Sequence, residues 1–267
     1  MTLSTAVDPI PALARHHLAL REARLPFAEV KPRSREAAPA RDALAALLRR
    51  GCGVIPEITE APYGEGVGAR HAQTLEEEGA HLIACHAEPQ RFLGALSLMS
   101  QVRAAVGVPV MARGLFFDPY QIHEARLFGA DAIPLRLGYL DEHRLVALAD
   151  RVESLGMTAL AEVRTPEEAG RALDAGLRVL GIDARDRATG AADAEIFAEI
   201  AAGLPESAVC VGLTGVLAPV DLLAYAANGA DAVVVGRALC RHADARQSLR
   251  AFTAAGQHPA CAGRKAT

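Results

Sequence analysis

Lysine is almost missing from this 267-residue chain: Lys31 and Lys265 are the only two, against 28 basic residues in all. The long stretch between them holds no side-chain amine, which excludes Schiff-base catalysis by that stretch. Tryptophan is absent and aromatic residues make up 4%. No apolar run approaches the roughly 18 residues a membrane-spanning helix needs. The start, "MTLSTAVDPIPALARHH", has no charged segment followed by an apolar block, so it does not read as a secretory signal. The five cysteines (Cys52, Cys85, Cys210, Cys240 and Cys261) are odd in number and show no CxxC spacing. That predicts buried free thiols in a reducing cytoplasm, with neither a disulfide framework nor a zinc site. Basic residues are scattered and the net charge is −4. Nucleic acid and anionic membrane are therefore not expected as partners.

What is present is rhythm. From residue 51 onward, eight short apolar runs recur: "CGVIPEIT" (52–59), "AHLIAC" (80–85), "VPVMAR" (108–113), "DAIPLRL" (131–137), "MTALAEV" (157–163), "RVLGID" (178–183), "AVCVGL" (208–213) and "DAVVVG" (231–236). Helical patterns lie between them. "DPYQIHEARLFG" closes at Gly129, "TPEEAGRALDAG" at Gly176 and "APVDLLAYAANG" at Gly229. Thr165 followed three residues later by Glu168 predicts a capping box. Strand–helix alternation with strands apolar on both faces means a parallel sheet. Eight units in about 200 residues predict an α/β fold, a closed (β/α)8 barrel, over residues 51–267 as a single domain. An open dinucleotide-binding sheet would carry GxGxxG after its first strand, and "PEITEAPYGEG" is not that. Residues 1–50 stand outside the rhythm. "ARHHLALREARL" and "RDALAALLRR" predict an N-terminal helical extension, with "PRSREAAPAR" as a polar loop between them.

In such barrels the reactive groups stand at the C-terminal ends of the strands. That rule selects Glu57 and Thr59; Cys85, His86 and Glu88; Arg113; Arg136; Glu162 and Arg164; Asp183 and Arg185; Thr214 and Gly215; Gly236 and Arg237. Carboxylates there can move protons, and arginines hold phosphate or carboxylate in a fixed fork. The glycines of "LTGV" and "VVGRAL" let backbone N–H groups approach a phosphate. Each has a bland counterpart. Glu57 could be a salt-bridged barrel residue, while Glu162 after an apolar run reads as functional. Arg136 inside "IPLRL" could snorkel outward between helices or point at ligand. His86 reads as a polar loop residue, and Tyr63 is a weak candidate for covering the site.

The chain also resembles the indole-3-glycerol phosphate synthase family. The similarity rests on "DPYQIHEARLFGADAI" (118–133), on "LAEVRTPEEAGRALDAGLRVLGIDARD" (160–186) and on "RFLGAL" (91–96), beside the family's "RFGGSL". The family closes a pyrrole ring on a carboxyphenylamino-deoxyribulose phosphate and releases carbon dioxide and water. The resemblance implies that Glu57, in "IPEITEAPYGEG", matches a family glutamate, while Thr59 replaces an active-site lysine. The tempting "AEVKP" (28–32) lies before the barrel. Arg113 stands where the family has its general-acid lysine, and Leu115 where it has a pocket aromatic. Glu162 matches the strand-five catalytic glutamate. Asp183 replaces an asparagine, Arg185 is kept, and Leu213 replaces a glutamate. Gly215 and Gly236 keep the phosphate-site glycines, and strand four, usually aliphatic, carries Arg136. An arginine holds its proton at neutral pH, so Arg113 can fix an anion but cannot serve as an acid.

The resulting expectation is a carbon–carbon lyase (carboxy-lyase) of this type with a partly rebuilt site. Its partner would be a phosphorylated sugar-derived or anthranilate-like acid, with neither cofactor nor metal, and the protein would be a monomer or homodimer. Glu57, Glu162 and Asp183 are the catalytic candidates. Arg113, Arg185, Phe92, Arg136 and Thr59 would bind substrate, and Thr214, Gly215, Gly236 and Arg237 the phosphate. The alternatives are a true but slow indole-3-glycerol phosphate synthase of tryptophan biosynthesis, or a non-catalytic barrel that binds phosphorylated ligands. A phosphoribosyl isomerase of the related barrels fits less well, since those use aspartates at strands one and five where glutamates stand here.

Overall fold

A computed structural model describes residues 7–58, 67–87, 95–186, 188–236, 239 and 245–261. Thr59, Tyr63, Glu88, Phe92, Arg237 and Cys240 lie outside the described residues. Eight parallel strands close into a barrel in chain order. They are β1 (Gly53–Ile58), β2 (Ile83–His86), β3 (Val110–Arg113), β4 (Ala132–Arg136), β5 (Thr158–Val163), β6 (Val179–Ile182), β7 (Val209–Gly212) and β8 (Ala232–Val235). β8 returns to β1 with Pro56 opposite Val235.

Two apolar clusters follow from the two-residue side-chain period of a strand. One fills the lumen with Ile55, Leu82, Met111, Leu160, Val179, Val211 and Val234; the other lies between the sheet and its outer helices, with Ile58, Cys85, Val110, Leu135 and Val163. The parity that puts Ile55, Met111, Leu160, Val211 and Val234 inward also turns Glu57, Arg113, Glu162, Leu213 and Gly236 toward the lumen's mouth. Among the described residues, no helix is long and apolar enough to cross a membrane, and no cluster of histidine, cysteine and carboxylate side chains could hold a metal. Cys52, Cys85, Cys210 and Cys261 are buried free thiols.

Three helices precede β1: α1 (Ala12–Arg24), α2 (Phe27–Glu36) and α3 (Ala43–Leu47). α2 corrects the expected loop, since it runs through Pro32 and Ser34 to Glu36. Proline removes one helical hydrogen bond. Here packing prevails: Val30 is fully buried, and Ser34 Oγ lies 2.6 Å from His123 Nδ1 on α4 (Pro119–Leu127). A second tie joins Arg21 to Glu124 at 2.6 Å. α3 is capped by the Asp42 side chain, and its Ala43, Ala46 and Leu47 plug the lumen from below. Gly129, Gly176 and Gly229 do follow the helices they were expected to end, all with positive φ. The capping box on α5 (Pro166–Asp174) forms only in half. Thr165 Oγ1 accepts from Glu168 N at 3.2 Å, but Glu168 Oε2 accepts from Arg164 N at 2.7 Å instead of closing on Thr165.

Candidate active site

The strand ends enclose a cavity of about 510 Å³. Glu57, His86, Arg113, Arg136, Arg185 and Gly236 line it, together with Gly114, Leu213 and the loop Thr214–Leu217 after β7. Arg113 ties the two glutamates together. Its Nε donates to Glu57 Oε1 at 3.2 Å, and its Nη1 lies 3.8 Å from Glu162 Oε2. That Nη1 is buried and, among the described residues, has no hydrogen-bond acceptor. His86 is the last residue of β2 rather than a loop residue, with Nε2 3.5 Å from Glu57 Oε1.

Arg136 points inward, which settles its two open orientations. In the β4–β5 register it faces Glu162, and its Nε donates to Glu162 Oε1 at 2.5 Å. Burial would lower the arginine's pKa, but the carboxylate beside it prevails and raises it. Glu162 is only 1% exposed and lies beneath the cavity wall, covered by Arg136 and Arg113. Leu115 does not take the place of a pocket aromatic. It belongs to the outer core, and Gly114 lines the cavity at that point.

Asp183 is 1% exposed and fully engaged. Arg185 donates to both of its oxygens at 2.8 Å, and Arg164 donates twice to Oδ2 at 2.9 and 2.6 Å. Thr214 Oγ1 reaches Oδ1 at 3.2 Å. Burial alone would raise the carboxyl's pKa; the bonds from Arg185 and Arg164 outweigh it and hold it at about 2. Arg164 was one of many strand-end residues in the sequence, and nothing in "EVRTPEE" marks it as this carboxylate's partner. Because the folded value lies below the ordinary 3.8, the stabilisation is complete above pH 4 and fades as pH falls toward about 2. The shift corresponds to about 2 kcal/mol. Urea unfolding should show that loss between pH 5 and pH 2 in the wild type and a smaller one in Asp183→Asn; equal acid losses would refute the assignment.

A glycine corner sits across β7 and β8. Gly215 has φ +93°, and a Cβ there would lie 2.4 Å from Tyr225 Oη. A Cβ on Gly236 would lie 2.7 Å from Glu57 Oε2. Gly215 is therefore required for its backbone to remain where it is, whereas at Gly236 the clash is with the movable end of the Glu57 side chain.

The chain's similarities fit this geometry. Residues 7–252 match the family model described as indole-3-glycerol phosphate synthase. Proteins of that name from Mycobacterium avium (strain 104) and Mycobacterium leprae (strain TN) are each 43% identical over 267 residues, covering 98% of either chain. The Mycobacterium tuberculosis (strain H37Ra) protein of that name is 42% identical over the same span. Among solved structures, thiamine phosphate pyrophosphorylase from Pyrococcus furiosus superposes with a TM-score of 0.60 at 15% identity, over 77% of this chain and 95% of that one. A native KDPGal structure gives 0.58 at 20% identity, over 76% and 93%. At such identities these two speak for the barrel alone. Sequence similarity along nearly the whole length carries more: the chain belongs to the indole-3-glycerol phosphate synthase family.

Proposed function

We propose that the protein is a carbon–carbon lyase of the indole-3-glycerol phosphate synthase type, one that closes a ring on a phosphorylated acid with loss of carbon dioxide and water. The observation that carries this reading is Arg113 standing between two inward glutamates, Glu57 and Glu162, at the floor of a cavity whose far wall is glycine backbone. Thr214, Gly215, Gly236 and Arg237 hold the phosphate, and Arg113 and Arg185 fix the carboxylate. Phe92 and Thr59, outside the described residues, are carried as further substrate-binding candidates.

Ring closure forms one carbon–carbon bond and breaks the bond to the carboxylate, which leaves as carbon dioxide. The oxygen that departs as water must collect two protons, and one carbon must give one up. Glu57 faces the cavity directly, and Glu162 lies just behind the guanidinium groups of Arg136 and Arg113 in the cavity wall. These two carry the proton transfers. Asp183 is assigned a positioning role instead of the catalytic one first expected, because all its bonding capacity goes to holding Arg164, Arg185 and Thr214 in place.

The test is turnover of the carboxyphenylamino-deoxyribulose phosphate, followed by fluorescence of the indole formed. A rate at least ~10²-fold below that of the mycobacterial relatives is expected, because one positioned proton donor contributes about that much and Arg113 supplies none. Complete absence of product would remove the ring closure and leave a second reading, the same lyase machinery on a more acidic, non-aromatic substrate. One observation favours that second reading: the charged Arg136 in the cavity wall.

A further inference from the structure

The two halves of the barrel repeat one another. Residues 110–136 and 210–236 align without a gap at an offset of one hundred, sharing Pro119 and Pro219 and the run Gly129–Ala132 with Gly229–Ala232. The shared residues make the same bonds. Val110 N donates to Asp131 Oδ2 at 2.9 Å, and Cys210 N to Asp231 Oδ2 at 2.8 Å. In the loops, Phe117 N and Asp118 N donate to Gln121 Oε1, while Leu217 N and Ala218 N donate to Asp221 Oδ2. The following strands also correspond, since Thr158 N donates to Asp131 O as Gly53 N donates to Asp231 O. This superposes Glu162 on Glu57, Arg136 on Gly236, and Arg113 on Leu213.

The glycine corner across β7 and β8 thus has a twin across β3 and β4, in which arginines stand where the first has Gly236 and Leu213. We propose that Arg113 and Arg136 form a second anion-binding corner, which takes a carboxylate of the same substrate whose phosphate sits at Gly215 and Gly236. This rests on the proposed phosphorylated acid and narrows it to a ligand anionic at both ends. Both arginines line the cavity. Arg136 uses its Nε on Glu162, and among the described residues its two Nη groups make no hydrogen bond. Arg113 uses its Nε on Glu57 and, among the described residues, keeps a buried Nη1 without an acceptor. Each glutamate therefore orients a guanidinium by one edge and leaves N–H groups for an incoming oxygen, the arrangement that favours a carboxylate over a neutral group.

The test uses a matched pair of probes, 6-phosphogluconate and sorbitol 6-phosphate, which differ only in whether the end far from the phosphate is a carboxylate or an alcohol. Calorimetric titration of the wild type should favour 6-phosphogluconate roughly tenfold or more, the worth of one hydrogen-bonded charge pair. Arg136→Leu should bring the ratio close to one. Arg136→Lys, which keeps a positive charge beside buried Glu162 and so protects folding, should give a ratio in between. A wild-type ratio near one, or a ratio unchanged in both variants, overturns the proposal. Gluconate, the probe without phosphate, separates the two layers. If it binds and sorbitol 6-phosphate does not, the arginine corner stands and the phosphate corner falls. If no probe binds at millimolar concentration, both fall.

Discussion

Glu162→Gln should lower ring-closing turnover by roughly 10²–10⁴-fold, the usual contribution of a positioned proton-transfer group. The substitution preserves shape and leaves an oxygen for Arg136 Nε, now 2.5 Å from the carboxylate. It removes the ability to take up and return a proton. It also leaves Arg136 and Arg113 over a neutral group, and breaking a buried ion pair by removing one partner typically costs about 3–5 kcal/mol. Urea unfolding measured beside turnover separates the two effects. A folded variant with wild-type turnover would strip Glu162 of its chemical role and leave it as the orienting group of the arginines. Glu57→Gln should cost less stability, because Glu57 is 21% exposed in its side chain against 2% for Glu162.

The second large effect is expected at Gly215. Alanine there must adopt a φ of +93° and bring its Cβ to 2.4 Å from Tyr225 Oη. Left-handed backbone and overpacking each cost about 1–3 kcal/mol. Gly215→Ala should therefore lose about 2–6 kcal/mol of stability and weaken inorganic phosphate binding, because the strained φ and the added Cβ disturb the loop that lines the cavity. Tyr225 Oη is buried and among the described residues has no hydrogen-bond partner, so removing it in Gly215→Ala/Tyr225→Phe should recover the steric part and not the backbone part. Thermal unfolding and phosphate titration of both variants check this. Unchanged stability and affinity in Gly215→Ala would mean that the corner is not built as described.

These two residues also mark how far the sequence reaches. Glu162 was legible because an acidic residue at the end of an apolar parallel strand has few structural uses, and Gly215 because glycine after a strand signals close backbone approach. The eight apolar runs and the helix-ending glycines were enough for the barrel. Arg136 was not legible: whether it faces in or out depends on pairing with Glu162 in the closed sheet, which a single strand's sequence does not contain. Asp183 looked like a third acid because two of its partners, Arg164 and Thr214, come from other strand ends and meet it only in space. The loop forecast at Pro32 failed for a similar reason, since the contacts of Val30 and of Ser34 with His123 that hold α2 together come from tertiary packing.

The central claim, a ring-closing lyase whose protons pass through the paired glutamates, is tested most directly in a single turnover. Excess protein is mixed with the carboxyphenylamino-deoxyribulose phosphate, and carbon dioxide release and indole fluorescence are followed together. Both signals should rise slowly and at one rate in the wild type, and neither should rise in Glu162→Gln on that timescale. Carbon dioxide without indole, or equal traces from wild type and Glu162→Gln, would contradict the account.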